Sequence, residues 1–291
     1  MSSAHRFFLP TRAGVTDTTF DSQAEIFRIR VIASVSHMSY RKYLISLIEA
    51  IQMLRVLSLF AGIGGFDLGL ERTGGFKTVA FCEIDPFCQR VLAKHWPEVP
   101  CYADIRELTA DRLAADGIAV DIICGGFPCQ DLSEAGRRAG IDGDRSGLWA
   151  DYARLIGELR PRVAIVENVP ELLSGGGGQW FGRVLGDLAA LGYDAVWHCI
   201  QAADLGAAHI RDRVWIAAYV PHTEEERRLQ RWGEQFSKSR APAGDVHSFS
   251  DEPMPARVAD GVPQRMDRVG ACGNAVVPRI PEMIGQALLA A

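Results

Sequence analysis

The sequence predicts a doubly wound α/β fold, with a mostly parallel sheet, helices on both faces and a small insert. Three observations support this fold class. Strand-like apolar runs alternate with segments of helical spacing from residue 54 to 220, those runs are continuously apolar, and a glycine-rich turn follows the first run. A chain of 291 residues with 48% hydrophobic residues suits one large domain with a smaller appendage.

Each predicted element follows from the spacing of its apolar residues. The predicted strands are 54–60, 78–83, 120–126, 162–167, 193–201 and 214–220, and the predicted helices are 66–72, 86–95, 147–159 and 178–191. Residues 1–53 lie outside this alternation and form an N-terminal extension, with one short apolar, helix-like stretch near 44–51. Residues 221–263 are rich in charged and turn residues and predict a small insert, and residues 264–291 return to apolar helical spacing.

Composition excludes several classes of protein. No apolar stretch reaches the roughly 18 residues that a membrane-spanning helix needs. The seven cysteines include no Cys-x-x-Cys pair, so neither a disulfide framework nor a zinc site is expected, and no metal is predicted. The first residues do not resemble a secretory signal, so we expect a cytoplasmic protein. The net charge of −5 does not by itself decide whether the partner is a nucleic acid.

The first candidate site is the turn between the first strand and the first helix. Its sequence, FAGIGG at residues 60–65, lets a ligand approach backbone N–H groups and a helix N-terminus. Asp67 stands where a dinucleotide fingerprint needs glycine, which disfavours a pyrophosphate site and a dehydrogenase. Glu83 ends the next strand and can accept from ribose hydroxyls, and Asp104 follows a third short strand and can accept from an adenine amino group. The three strand ends therefore predict an adenosine site.

The second candidate site follows the strand 120–126. Pro128, Cys129 and Gln130 come directly after it, at the sheet edge where ligands bind in this fold class. The strand 162–167 ends in Glu167 and Asn168, which places a carboxylate at the same edge. We therefore expect a thiol and a carboxylate to face one cleft.

The motifs FAGIGG, GGFPCQ, ENV and GNAVVP, in this order, resemble the cytosine carbon-5 DNA methyltransferase family of bacteria and phages. The resemblance covers residues 54 to about 220 and residues 273 onward. It implies a Rossmann-like, S-adenosylmethionine-dependent methyltransferase fold. It also implies that residues 54–220 are the catalytic and cofactor-binding domain, that 221–263 are a small target-recognition region, and that 264–291 return to the catalytic domain.

The resemblance implies a catalytic set around one nucleophile. The Cys129 thiolate would add to carbon 6 of cytosine, so that carbon 5 can accept a methyl group. Glu167 would act as a neutral acid near ring nitrogen 3, which requires a pKa raised by burial. Arg211 would hold the base and Arg213 would brace the site, while His209 replaces the glutamine that begins this family motif. Pro128 and Asn168 complete the motifs of the nucleophile and the acid.

The resemblance also implies residues for the cofactor and for DNA. Those expected at S-adenosylmethionine are Phe60, Gly62, Ile63, Gly64, Gly65, Glu83, Ile84, Asp104, Ile105, Asn274 and Val276. Those expected at DNA are Gln130, Ser133, Arg137, Arg138 and Arg145. The target base must leave the double-stranded DNA stack to reach a thiol. We expect a monomer, with a restriction endonuclease as a cognate partner.

Two relatives of the predicted enzyme stay open as alternatives. One is a tRNA cytosine-5 methyltransferase of the same fold, although the Cys-Phe-Thr tripeptide of that branch does not occur here. The other is a catalytically inactive DNA-binding relative, which the retention of Cys129, Glu167 and Arg211 disfavours. The expected activity is therefore DNA (cytosine-5-)-methyl transfer, in restriction-modification or in protection of phage DNA.

Overall fold

The computed structural model describes residues 7–11, 14–18, 53–128, 147–207, 209–239, 271 and 274–290. The chain divides into two units, Met1–Gln52 and Met53–Ala291. In the first unit, strands β1 (Phe7–Thr11) and β2 (Gly14–Thr18) form an antiparallel hairpin. The sequence pattern did not predict this hairpin, because its strands are only five residues long and lie outside the α/β alternation.

The second unit is built on a seven-stranded sheet with the order β5-β4-β3-β6-β7-β9-β8. Its strands are β3 (Leu54–Leu59), β4 (Phe76–Cys82), β5 (Cys101–Tyr102), β6 (Ile122–Gly126), β7 (Val163–Asn168), β8 (Asp194–Gln201) and β9 (Asp212–Tyr219). The pairs from β5 to β7 are parallel, and β9 is antiparallel to both of its neighbours. The predicted doubly wound, mostly parallel sheet is confirmed.

Helices cover the sheet on both faces. They are α1 (Gly65–Glu71), α2 (Pro86–His95), α3 (Ala110–Ala115), α4 (Leu148–Leu159), α5 (Glu171–Ser174), α6 (Gln179–Ala190), α7 (Glu224–Ser239) and α8 (Arg279–Leu289). Helix α2 has the predicted bounds. Asp85 caps its N-terminus by accepting from the backbone N–H groups of Phe87 and Cys88, and proline at the first helical position fixes the backbone there.

The strands are apolar without interruption because the two faces bury separate clusters. Val56 and Ile165 pack with residues of α1, α7 and α8. Their chain neighbours Leu57 and Val166 pack with residues of α3, α4 and α6 on the other face. All four side chains are fully buried. The continuous runs therefore reflect burial on both faces, as the sequence indicated.

Helix α7 lies inside the stretch that the sequence predicted as a turn-rich insert. Leu229 and Trp232, three positions apart, are buried in the core cluster that α1 and α8 share. Glu225 is also buried and pairs with Arg162 beside the sheet. The pattern missed the helix because few large apolar residues stand among its many charged ones.

The last helix packs along the first through a surface of small residues. A Cβ atom added at Gly65 would lie 2.4 Å from the carbonyl oxygen of Val276, and one at Gly69 would lie 2.2 Å from that of Pro278. The two glycines are four residues apart and thus share one face of α1. Their missing side chains let the C-terminal segment approach the helix backbone beside the glycine-rich turn.

Asp67 is a buried carboxyl group that links α1 to two strands. Its oxygens accept hydrogen bonds from Ser58 Oγ on β3 and Thr78 Oγ1 on β4, each at 2.9 Å. Burial raises the pKa of Asp67 to about 7, although these two hydrogen bonds oppose the rise. The residue that argues against a dinucleotide fingerprint is therefore a structural link inside the fold.

We expect Asp67 to make the stability of the fold depend on pH. An unfolded aspartate has a pKa of about 4, so between pH 4 and 7 the folded protein binds the extra proton and its unfolding free energy falls as pH rises. Asp67→Asn removes this titration. Denaturant unfolding at pH 5 and pH 8 should show the variant gaining about 2 kcal/mol relative to the wild type between these values. An equal difference at both pH values would contradict the raised pKa.

Candidate active site

A cleft lies at the carboxyl ends of β3, β4, β6 and β7. It consists of two neighbouring cavities of about 460 and 610 Å³. Both are bordered by the same six residues: Phe60, Glu83, Ile84, Asp85, Pro128 and Asn274. The two sites that the sequence predicted separately, the glycine-rich turn and the segment ending at Pro128, therefore border one cleft.

The glycine-rich turn has an unusual backbone. Phe60 has a φ of +50°, a left-handed conformation that is costly for a residue with a side chain. Gly62 and Gly64 also have positive φ values, +56° and +84°. A Cβ atom at Gly62 would meet nothing within 4 Å, whereas one at Gly64 would meet the ring of Trp96 at 2.5 Å. Gly62 thus borders open space in the first cavity, and Gly64 is packed from behind.

The Glu83 carboxylate holds the turn to the next strand. Its Oε2 accepts from the backbone N–H of Gly62 at 2.7 Å, and its Oε1 accepts from that of Asp85 at 2.8 Å. Gln89, on α2, donates to the Glu83 carbonyl oxygen at 2.6 Å. Each carboxylate oxygen can accept a second hydrogen bond. The side chain can therefore bind hydroxyl groups of a ligand while it fixes the turn.

Ile84, Asp104 and Ile105 all border the second cavity. The Ile84 side chain is 64% exposed, so it offers an apolar surface there. Arg106 Nε and Nη2 donate to the Asp104 carboxylate at 2.9 and 2.6 Å, and these hydrogen bonds lower the pKa of Asp104. Sequence reasoning missed Arg106, although its place two residues after the aspartate was a usable signal.

The carboxyl group of Glu167 is buried at the end of β7. Arg213 Nε lies 3.1 Å from its Oε1. Burial raises the pKa of Glu167, while the charges of Arg213 and Arg211 oppose the rise. Burial and the neighbouring Arg213 lower the pKa of Arg211, and Glu167 opposes that shift. All three side chains border the first cavity, so the predicted acid and the two predicted arginines are neighbours.

The direction of β9 explains how the arginines reach this edge. β9 is antiparallel to β7, with Glu167 opposite Trp215 and Asn168 opposite Val214. The beginning of β9 therefore lies at the end of β7. A parallel strand would present its first residues at the opposite edge of the sheet. The reversal brings Arg211 and Arg213 to the cleft from a strand that starts there.

Gly126 leaves room for the Glu167 carboxyl group. The two residues are opposite each other in the β6–β7 register. A Cβ atom at Gly126 would lie only 2.4 Å from Glu167 Oε2. The second glycine of the GGFPCQ motif is therefore required by the acid on the neighbouring strand, a role that sequence reasoning did not assign.

Asn168 fixes the chain that leads to Pro128. Its Nδ2 donates to the carbonyl oxygen of Phe127 at 3.2 Å, and its Oδ1 accepts from the N–H of Val169 at 2.8 Å. Phe127 is buried and contacts the ring of Trp149. Sequence reasoning selected Asn168 and Pro128 but missed Phe127, which an aromatic residue next to the motif proline could have indicated.

The remaining predicted residues fall into three groups. Ile63, Gly64, Gly65 and Val276 do not border either cavity; Gly64 and Gly65 are packed closely against Trp96 and Val276, and His209 is exposed outside both. Asn274 borders both cavities. Six predicted residues lie outside the described part of the chain: Cys129, Gln130, Ser133, Arg137, Arg138 and Arg145.

Among the residues that the structure describes, no three His, Cys, Asp or Glu side chains are grouped so that they could hold a metal ion. In the same part of the chain, no helix has both the length and the apolar character needed to cross a bilayer.

The sequence model of C-5 cytosine-specific DNA methylases matches residues 54–254. The chain belongs to this family. The type II methyltransferase M2.BsuMI of Bacillus subtilis is 38% identical over 169 residues, which are 57% of this chain and 42% of that protein. M.HgiBI of Herpetosiphon aurantiacus is 35% identical over 189 residues, 61% of this chain and 42% of its own. The chain thus spans about two fifths of the length of these two methyltransferases.

Solved structures agree with the fold of this family. A DNA modification methyltransferase encoded within an Escherichia coli prophage matches with a TM-score of 0.50 and 28% identity, over 57% of this chain and 47% of that one. The Entamoeba histolytica methyltransferase EhMeth has the same TM-score at 18% identity, over 60% of this chain and 55% of that one, which supports the fold alone.

We expect Gly126→Ala to destabilise the protein by about 1–3 kcal/mol, because the added methyl group must displace a buried carboxylate or a central strand. Gly182→Ala on α6 is the matched control, since a Cβ atom there meets nothing within 4 Å. The control should be neutral or slightly stabilising. Denaturant unfolding measures both free energies, and equal stabilities would contradict the proposed steric role of Gly126.

Proposed function

We propose that this protein is an S-adenosylmethionine-dependent DNA (cytosine-5-)-methyltransferase. One observation carries the proposal. The buried Glu167, the two arginines and Pro128 border a single cavity, and Cys129 is the residue that follows Pro128 in the sequence. Carboxylic acid, cation and thiol are the groups that addition to a cytosine ring requires, and the family to which the chain belongs is that of C-5 cytosine-specific DNA methylases.

The residues of the second cavity fit S-adenosylmethionine. Its volume of about 610 Å³ lies within the range usual for small-molecule sites. Glu83 would accept from the ribose hydroxyls, Ile84 and Ile105 would contact the adenine ring, and Asp104 would accept from its amino group. Asn274 and Phe60, which border both cavities, would lie between nucleoside and reaction centre. When bound, this cofactor supplies an electrophilic methyl group to carbon 5 of the base.

The chain's own residues would activate the base. The thiolate of Cys129 would form a bond to carbon 6 as the 5,6 double bond breaks, and the ring electrons would move toward carbon 5 and ring nitrogen 3. Once carbon 5 carries the methyl group, loss of its proton to solvent would restore the 5,6 double bond and expel the Cys129 thiolate. Glu167, whose pKa is raised by burial, would in its acid form donate a hydrogen bond to nitrogen 3 and stabilise the charge that develops there. Arg211 would hold the base, and Arg213 would keep the Glu167 carboxyl group in place.

The proposed substrate is a short site in double-stranded DNA, whose cytosine is flipped into the cleft. The relatives named above are type II methyltransferases, which supports a role in restriction-modification or in protection of phage DNA. We propose that the enzyme acts as a monomer in the cytoplasm of a bacterial or phage-infected cell. Because α7 is packed into the core, base reading by the region 221–263 would involve residues after this helix.

Covalent trapping tests the nucleophile. A duplex containing 5-fluorocytosine should form a stable complex with the wild type, because fluorine at carbon 5 prevents the elimination that releases the enzyme. Cys129→Ala should form no complex and transfer no methyl group, whereas Cys199→Ala, a change at an exposed cysteine on β8, should behave as the wild type does. Denaturing gels and incorporation of labelled methyl groups measure both. Turnover by Cys129→Ala, or transfer to tRNA instead of DNA, would contradict the proposal.

A pH profile tests the acid. We expect Glu167→Gln to slow methyl transfer by about 10²-fold. The acid form of Glu167 is lost as pH rises through its raised pKa, so the ratio of wild-type rate to variant rate should fall as pH rises. Ionisation of the thiol affects both proteins equally and cancels in the ratio. A ratio that stays constant from pH 5 to pH 9 would show that Glu167 does not act as a proton-bearing group.

A further inference from the structure

Trp149, near the start of α4, lies between two aromatic rings beneath the cleft. It is buried, and its ring centroid is 5.4 Å from that of Phe127 and 5.7 Å from that of Tyr152. The Tyr152 ring in turn stacks on Phe60, with centroids 6.4 Å apart. A row of four aromatic rings therefore connects the end of β3 with the end of β6.

A hydrogen bond from another helix sets the orientation of Trp149. Its indole Nε1 donates to Asp187 Oδ2 on α6 at 2.9 Å. Arg183 Nε, one turn earlier on α6, donates to the same oxygen at 2.9 Å. An indole ring has one N–H group, so this acceptor fixes the position of its polar edge. The indole plane is tilted by 47° relative to the ring of Phe127.

Phe127 is restrained in two independent ways. Its ring packs against Trp149, and its carbonyl oxygen accepts from Asn168. Pro128 follows, with a restricted backbone of its own. The residue after Pro128 is the proposed nucleophile, and a displacement of about 1 Å at a reacting group can reduce a rate by about 10².

We propose that Trp149, oriented by Asp187, is a positioning residue for the Phe127–Pro128 segment and thus for the attack of Cys129 on the base. The inference rests on the proposed function. Trp149 and Asp187 border neither cavity and act through Phe127. They take no part in proton transfer or bond formation.

Removal of the Trp149–Asp187 hydrogen bond should leave the cofactor side of the cleft unchanged. The Tyr152 hydroxyl donates to the carbonyl oxygen of Ile165 at 3.2 Å, so Tyr152 is fixed to β7 independently of Trp149. Phe60, which contacts Tyr152, keeps that support when the indole hydrogen bond is removed. Loss of the bond should therefore slow the chemical step more than it weakens cofactor binding.

Four variants of the full chain test the proposal. Trp149→Phe keeps an aromatic ring but lacks the N–H group, and Asp187→Leu removes the acceptor. Asp187→Asn keeps an oxygen acceptor and is the conservative variant. Arg183→Gln is the matched control, because it removes the cation that pairs with Asp187 and leaves the indole hydrogen bond in place. For each we would measure the rate of trapping by 5-fluorocytosine DNA at saturation, the KM for S-adenosylmethionine and the melting temperature.

Trp149→Phe and Asp187→Leu should slow trapping about tenfold or more, with the KM for S-adenosylmethionine changed less than about twofold. Asp187→Asn should recover most of the wild-type rate, and Arg183→Gln should match it. Wild-type trapping rates in Trp149→Phe and Asp187→Leu, with only a lower melting temperature, would overturn the positioning role alone. A wild type that neither traps nor methylates cytosine in DNA would overturn the proposed function and this inference with it.

Discussion

The candidate site depends on the contact between the buried Glu167 carboxyl group and Arg213. Burial favours the protonated form of a carboxyl group and a neighbouring cation favours the charged form, so the balance depends on the geometry of the pair. Here the fold fixes it on both sides. Gly126 has no side chain to displace the carboxylate, and the antiparallel β9 begins beside the end of β7. In this arrangement burial raises the pKa of Glu167, and the charges of Arg213 and Arg211 limit the rise.

The cofactor side of the cleft is held by close backbone contacts and by hydrogen bonds from backbone N–H groups to Glu83. Gly65 and Gly69 let the C-terminal segment approach α1, while Glu83 accepts from the N–H of Gly62 in the turn. Gly65 and Gly69 thereby meet Val276 and Pro278 from the other end of the chain, whereas Glu83 and Gly62 are 21 positions apart. The strained Phe60 lies where both sides meet and borders both cavities. Different interactions thus stabilise the two halves of the cleft, and Phe60 borders both.

Much of the fold could be predicted because buried strands and helices have recognisable patterns of apolar residues in the sequence. Strands covered on both faces must be apolar throughout, so the runs leading to Phe60, Gly126 and Asn168 were recognisable. Helix α7 was not, since few large apolar residues stand among its many charged ones, and β1 and β2 lie outside the α/β alternation. Arg106, Phe127 and Trp149 were also missed, because each acts through a neighbour whose position depends on the fold.

The sequence by itself determined most of the strands and helices between residues 54 and 220, the family motifs and the kinds of chemical group at the sheet edge, because each of these is encoded in adjacent residues. Only the tertiary structure decided that β9 runs antiparallel, that Gly126 must be glycine beside Glu167, and that Asp187 orients Trp149 beneath Phe127. Contacts of this kind join residues that are distant in the chain. Their distances and angles arise only when the elements pack, so no local pattern specifies them.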